Sequence, residues 1–197
     1  MTDEGSRAAM RHLVRARRRT LTAAEISIAS TRALRNLETL NLPRPASRVA
    51  LFAPFDGELD TAAVARRALN RRCRLYLPVI TDLRRRRMVF VEWRPGERLV
   101  QHDTGIAQPP AHGRRLSPRQ LDLVLVPLVA FDERCNRIGT GGGFYDRQFA
   151  FRLRRSVWRR PLLVGWAHDF QRVDTIAGAA WDVPLDYVVT DRGVYRR

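Results

Sequence analysis

Leu121-Asp122-Leu123-Val124-Leu125-Val126-Pro127-Leu128-Val129 and, shortly after it, Arg137-Ile138-Gly139-Thr140-Gly141-Gly142-Gly143-Phe144-Tyr145-Asp146-Arg147 form the stretch on which the fold turns. The first run is apolar and of strand length. Packing cannot explain the glycines of the second, because glycine has nothing to pack; positive φ angles or close approach to something bulky can. Phe144 to Leu153 then reads as the start of a helix, with Asp146 in its first turn. Strand, glycine loop and helix are an arrangement in which backbone N–H groups converge on an anion. The P-loop does not fit, since Phe144-Tyr145 stands where Lys-Ser/Thr is needed, and the dinucleotide fingerprint would need glycine at Phe144. Residue types alone therefore give an anion cradle of unspecified kind, or a turn that merely connects two elements.

Working outward, Arg48-Val49-Ala50-Leu51-Phe52-Ala53 reads as a buried strand, Thr61 to Asn70 as a helix and Cys73 to Pro78 as a second strand. This is one βαβ unit, so a mostly parallel sheet is expected. The turn between strand and helix carries Asp56, Glu58 and Asp60. Asp60 suits a helix cap. Glu58 has no capping role and lies beyond the C-terminal end of a strand, where open α/β sheets place ligands.

The N-terminal forty or so residues read as a helical hairpin. Ser6 to Arg19 is basic, with Arg7, Arg11 and Arg15 on one face, either solvated or turned toward an anion. Thr22-Ala23-Ala24-Glu25 is a capping box opening a helix to about Leu40, whose core face is Ile26, Ala29, Ala33, Leu37 and Leu40. Past the βαβ unit, Leu83 to Arg87 is turn-like and Arg87 to Trp93 a strand suited to an antiparallel edge. Arg94 to Ser117 is an irregular connection rich in Gly and Pro, of a length often functional. His102 and His112 lie in it without a third ligand at metal spacing. A basic helix continuing from Phe149 to Arg160 with Trp158 near its end, a strand over Pro161–Ala167 and a tail strand in Trp181–Thr190 complete the chain.

The 197 residues suit one domain spanning 1–197. No apolar run approaches the ~20 residues of a membrane span. The N-terminus lacks signal-peptide order, and two cysteines fit reduced thiols in a cytoplasmic protein. The formal charge is +16, and all 36 basic residues are arginine. Such a charge suggests nucleic acid or an anionic surface. Total absence of lysine equally suits arginine-biased codon usage.

Taken together, the segments resemble the 5-formyltetrahydrofolate cyclo-ligases, also called 5,10-methenyltetrahydrofolate synthetases. The resemblance is carried by Arg7 and Arg11, by Phe52-Ala53-Pro54-Phe55-Asp56-Gly57-Glu58-Leu59-Asp60-Thr61, by Leu125–Asp132, by Asn136–Arg147 and by Asp182-Val183-Pro184-Leu185-Asp186-Tyr187-Val188-Val189-Thr190, in the family's order. It implies a three-layer α/β fold, monomeric, with a glycine-rich nucleotide loop between strand and helix. It also implies ATP- and Mg2+-dependent cyclisation of 5-formyltetrahydrofolate, polyglutamylated or not, to 5,10-methenyltetrahydrofolate. ATP phosphorylates the formyl oxygen, N10 attacks the activated carbon, and phosphate leaves. Such chemistry asks for positioning and charge neutralisation rather than a catalytic triad.

Carried over by position, Arg7, Arg11 and the loop Arg137, Gly139, Thr140, Gly141, Gly142, Gly143, Phe144 and Tyr145 would bind ATP. Arg137, Tyr145 and Asp146 would stand nearest the reaction, with Asp146 associated with the metal. Ala53, Glu58, Gly142 and Phe144 would meet the folate; Glu58 would accept two N–H bonds from its amino-pyrimidine edge, and Phe55, Trp93 and Tyr145 would wall its ring. Three departures stand out: Trp181 replaces a polar residue usual before Asp-Val-Pro, Gly142 replaces a basic residue found in some relatives, and the N-terminal pair is Arg/Arg where relatives often begin with Lys. A nucleic-acid module would instead need exposed aromatics among the arginines. Phe52, Tyr76, Phe90 and Phe131 lie in expected buried strands, which weakens that alternative. A phosphotransferase of another substrate class would keep ATP and magnesium but ignore folate.

Overall fold

The computed structural model describes residues 3–154 and 160–197. Helix α1 (Asp3–Arg19) runs into α2 (Ala23–Thr39) through a short turn. The expected capping box forms: the Thr22 hydroxyl accepts from the Glu25 N–H at 3.2 Å, and the Glu25 carboxylate accepts from the Thr22 N–H at 2.8 Å. The chain then alternates through β1 (Arg48–Ala50), α3 (Ala62–Asn70), β2 (Arg74–Asp82) and β3 (Arg87–Glu92). The irregular connection holds three short strands, β4 (Val100–Gln101), β5 (Ala107–Gln108) and β6 (Arg115–Leu116). After it come β7 (Leu123–Pro127), β8 (Ala130–Phe131), β9 (Arg137–Ile138), α4 (Phe144–Phe149), β10 (Leu162–Trp166), β11 (Tyr187–Val189) and β12 (Val194–Arg196).

Eight strands make the central sheet, in the order β12-β11-β10-β7-β1-β2-β3-β6. The run from β11 to β2 is parallel, and antiparallel strands close both sides. Alternation along the strands divides the core into two layers. Val49, Leu75, Leu123, Leu125 and Val164 meet Ala33 and Leu37 of α2 and Val64, Ala65 and Ala68 of α3 on one face. Ala50, Tyr76, Val124, Val126 and Leu163 meet Phe149 of α4, Phe131 and Cys135 on the other. Each fully buried Leu or Phe contributes about 1.5–3 kcal/mol. Phe52, Tyr76, Phe90 and Phe131 are all within 4% of full burial, so no aromatic platform for nucleic acid stands on those strands.

Two local expectations change. The glycine loop does not leave the long strand β7 directly, because a β8–β9 hairpin intervenes. Asp132 builds that hairpin's turn: its Oδ1 accepts from the Arg134 and Asn136 N–H groups at 3.0 and 2.9 Å, and its Oδ2 from Asn136 Nδ2 at 2.9 Å. The helix after the loop is also shorter than its basic pattern suggested. It ends at Phe149 and passes into a 3-10 turn over Ala150–Arg152, and residues 155–159, Trp158 among them, lie outside the described residues.

Candidate functional site

The parallel strands β1, β2 and β7 all end at one edge, and the turn Pro54–Thr61, the glycine loop and the β4–β5 hairpin gather over it. Between them lies a cavity of about 440 Å³, a volume suited to a medium-sized ligand. Ala53, Phe55 and Glu58 enter its wall from the turn, Pro78, Ile80 and Met88 from β2 and β3, and Thr104, Ile106 and Gln108 from the β4–β5 hairpin. Gln108 is fixed to β2 by accepting from the Ile80 N–H at 3.0 Å. The glycine loop and start of α4 supply Gly139, Thr140, Gly142, Gly143, Phe144, Tyr145 and Asp146.

A second cavity, of about 620 Å³, lies on the other side of the loop. Arg7, Arg11, Arg86, Arg147, Gly141, Trp181 and Asp182 line it. Arg137, Gly139, Gly143 and Asp146 line both cavities, so the loop is their common wall. Gly143, at φ +64°, opens α4, a left-handed conformation that glycine adopts without strain. The N–H groups of residues 139–143 have no acceptor among the described residues. Such unpaired donors are uncommon unless water or a ligand meets them. With only six residues, α4 adds little dipole of its own.

Cations come from α1. Its arginine row is not a free solvated face but lies on the loop's carbonyls: Arg11 Nε donates to the Gly139 oxygen at 3.0 Å and Arg15 Nη2 to that of Thr140 at 3.3 Å. Arg7 donates to Asp182 at 3.1 Å and to the Ala177 carbonyl. Arg137 is nearly buried; it reaches Asp146 Oδ1 at 2.7 Å and the Val183 carbonyl. The same Asp146 oxygen accepts the Val183 N–H at 3.1 Å. The tail is thereby fastened to the first turn of α4.

Glu58 does have a structural partner, contrary to the expectation from sequence. Arg18, fully buried at 0% exposure, donates to Glu58 Oε1 at 3.3 Å and to Asp56 Oδ2 at 3.4 Å. The Phe55 N–H donates to Glu58 Oε2 at 3.3 Å. Burial outweighs these partners and pushes the Glu58 carboxyl up to about 7. At Gly57, φ is +73° and an added Cβ would stand 2.5 Å from the Arg18 carbonyl oxygen, so the turn lies directly on α1. His168 Nε2 lies 3.0 Å from the Gly57 oxygen, and burial draws the pKa of this histidine down. Neutral imidazole then acts as the donor in that contact.

Tyr145 is the one tyrosine whose hydroxyl is buried without a hydrogen-bond partner among the described residues. Burial, with Glu58 nearby, raises its pKa well above the ordinary range, so it remains a donor. Trp93 stands apart from the other sequence-predicted residues. It packs on the opposite core layer and donates from Nε1 to the Glu97 carbonyl at 3.5 Å, lining neither cavity. Arg18, Arg86 and Asp182 were not singled out by sequence reasoning as site residues, and Arg15 only as a member of the arginine row that was either solvated or turned toward an anion. For Arg18 a signal existed, since it continues the stripe of Arg7, Arg11 and Arg15 at helical spacing. Among the described residues no group of three or more His, Cys, Asp or Glu gathers as a metal cluster, and no helix is long and apolar enough to cross a membrane.

Residues 3–191 match the family described as the 5-formyltetrahydrofolate cyclo-ligase family. The 5-formyltetrahydrofolate cyclo-ligase of Escherichia coli (strain K12) is 36% identical over 184 residues, covering 93% of this chain and 99% of that protein. The enzyme of the same description from Haemophilus influenzae is 33% identical, covering 87% and 90%. Among solved structures, the 5,10-methenyltetrahydrofolate synthetase of Aquifex aeolicus superposes with a TM-score of 0.78 at 30% identity, covering 96% of this chain and 92% of that one.

Proposed function

Because the chain belongs to the 5-formyltetrahydrofolate cyclo-ligase family, we propose that it closes 5-formyltetrahydrofolate to 5,10-methenyltetrahydrofolate at the expense of ATP. The carrying observation is the shared wall: Arg137, Gly139, Gly143 and Asp146 line both the 440 and the 620 Å³ cavities. A phosphoryl donor held in the larger cavity and a carbonyl acceptor held in the smaller one would meet across that wall. The formyl carbonyl is a poor electrophile. Transfer of the terminal phosphoryl group to its oxygen makes that oxygen a leaving group. N10 then attacks the formyl carbon, the C–N bond forms as the N10 proton passes to solvent, and the C–O bond breaks, so that phosphate departs with the oxygen while ADP remains.

The chain's own groups supply position and charge. The unpaired N–H groups of residues 139–143 cradle phosphate oxygens; Arg11 holds the loop through the Gly139 carbonyl, Arg7 holds the tail through Asp182, and both face the polyphosphate in the larger cavity. Arg137, fixed by Asp146 and the Val183 carbonyl, presents its guanidinium at the common wall. Ala53, Phe55, Gly142 and Phe144 enclose the pterin, and Glu58 accepts from its amino-pyrimidine edge. Tyr145 donates its hydroxyl to a polar atom of the bound folate. Magnesium fits the larger cavity: Asp146 and Asp182 both line it, and this ion is commonly held by one or two carboxylates together with substrate phosphates. When bound, it would neutralise phosphate charge. The surplus arginines suit a polyglutamate tail, one protomer carries a complete pair of cavities, and two buried free thiols fit the cytoplasm.

Purified protein given ATP, magnesium and 5-formyltetrahydrofolate should develop the methenyl chromophore, and omission of ATP should abolish it. ATP hydrolysis without chromophore would instead indicate a phosphotransferase acting on another substrate.

A further inference from the structure

The turn joining β2 to β3, residues Leu83–Arg86, stands over the glycine loop and reaches both cavities. Leu83 lines the smaller one and Arg86 the larger. Arg86 takes φ +52°, and its guanidinium comes so near the loop that a Cβ added to Gly143 would lie 3.3 Å from Nη1. The Arg86 N–H donates to the Leu83 carbonyl at 3.3 Å, but among the described residues its guanidinium makes no hydrogen bond or ion pair. Arg147 of α4, in the same cavity, is likewise without a side-chain partner among the described residues, whereas the other three arginines are engaged. Arg7 is matched by Asp182 and Arg137 by Asp146, so these two pairs cancel in charge, and Arg11 donates to the Gly139 carbonyl. The neighbouring Arg85 is 73% exposed beside Asp82.

We propose that Arg86 is a phosphate-binding arginine supplied from outside the glycine loop, and that it grips the terminal phosphate of the polyphosphate in the larger cavity while Leu83 covers the ligand in the smaller one. A bare guanidinium matches two phosphate oxygens at once. Placed against Gly143, where the two cavities share a wall, it stabilises the charge that develops on the phosphoryl group in transit. This deepens the ATP-dependent reading and rests on it. One turn then senses both ligands, because the residues that touch them are three apart on the same hairpin tip.

The test compares Arg86→Ala, Arg86→Lys and, as a control on the same turn, Arg84→Ala. Two readouts are used: steady-state formation of the methenyl chromophore, and calorimetric binding of inorganic tripolyphosphate. Arg86→Ala should lower kcat/KM for ATP about 100-fold or more and weaken tripolyphosphate about 10-fold, with the KM for 5-formyltetrahydrofolate within about threefold. Arg86→Lys keeps the charge without the fork and should fall between. Arg84→Ala should match the wild type. The proposal is overturned if Arg86→Ala stays within about threefold in both readouts, if Arg84→Ala loses as much, or if the wild type does not bind tripolyphosphate. Absence of chromophore from the wild type with ATP would remove the ring-closure reading, while the tripolyphosphate comparison would still decide the role of Arg86.

Discussion

Replacing Glu58 by Gln should change how the stability of this protein depends on pH. In the folded chain the Glu58 carboxyl is raised from an ordinary 4.5 to about 7, chiefly by burial, against the pull of Arg18 and the Phe55 N–H. Charged groups around it are Arg18, Asp56 and Arg137, with the Tyr145 hydroxyl close by. The folded protein holds this proton more tightly than the unfolded chain does. The resulting stabilisation is therefore complete below about 4.5 and is lost as pH climbs through about 7. At about 1.4 kcal/mol per pH unit, the loss amounts to about 3 kcal/mol. Glutamine has nearly the same shape, still accepts from the Phe55 N–H and does not titrate. Urea denaturation of wild type and Glu58→Gln at pH 5 to 8 measures the difference directly, since the rest of the charge is common to both. The variant should gain about 2–3 kcal/mol relative to the wild type between pH 5 and 8. Parallel curves would refute the reasoning. The ligand runs the other way: N–H donors of the pterin edge favour ionised Glu58, so 5-formyltetrahydrofolate should bind more weakly as pH drops below about 7.

Three further outcomes are expected. Tyr145→Phe removes a buried hydroxyl that lacks a partner among the described residues, so the ligand-free protein should be as stable or more stable, by up to about 1 kcal/mol, while folate affinity falls; a clear drop in melting temperature would mean that the hydroxyl is satisfied within the protein. Gly57→Ala places a Cβ 2.5 Å from the Arg18 carbonyl oxygen at φ +73°, which should cost about 2–4 kcal/mol in denaturant titrations. Its residual activity should show a raised KM for folate more than for ATP, because Glu58 rides on that turn. Arg11→Ala frees the Gly139 carbonyl and should raise the KM for ATP about 10-fold with the folate KM little changed; a larger effect on folate would contradict the assignment of the two cavities.

Local sequence rules found much of this architecture because local chemistry decides it. The capping box at Thr22, the βαβ unit from Arg48 to Pro78 and the paired strands around Leu83–Arg87 each rest on neighbours in the chain. The arginine row on α1 was visible as a stripe, but its target was not, since Gly139 and Thr140 lie more than a hundred residues away. Glu58 drew notice for the lack of a local role. Its partner Arg18 sits in a dense basic segment, where nothing marks the one arginine that becomes fully buried. Trp93 shows the opposite limit. A large aromatic at the end of a strand suits a ligand wall or a core, and here the sheet's alternation turns it to the core. The β8–β9 hairpin was hidden because Asp132 folds it through three acceptor contacts that its sequence position does not advertise.

Helix α1 touches the glycine loop through Arg11 and Arg15 and the Glu58 turn through Arg18. Its angular phase therefore sets the registration of two binding regions that have no covalent reason to stay aligned. One residue inserted after Arg11 would rotate the preceding arginines by about 100° relative to Arg15 and Arg18, detaching one end of the rod while the other stayed docked. Four inserted residues would nearly restore the angle but lengthen the rod by about 6 Å. Natural variation in this helix should consequently be confined to substitutions on its outward face, with length held fixed.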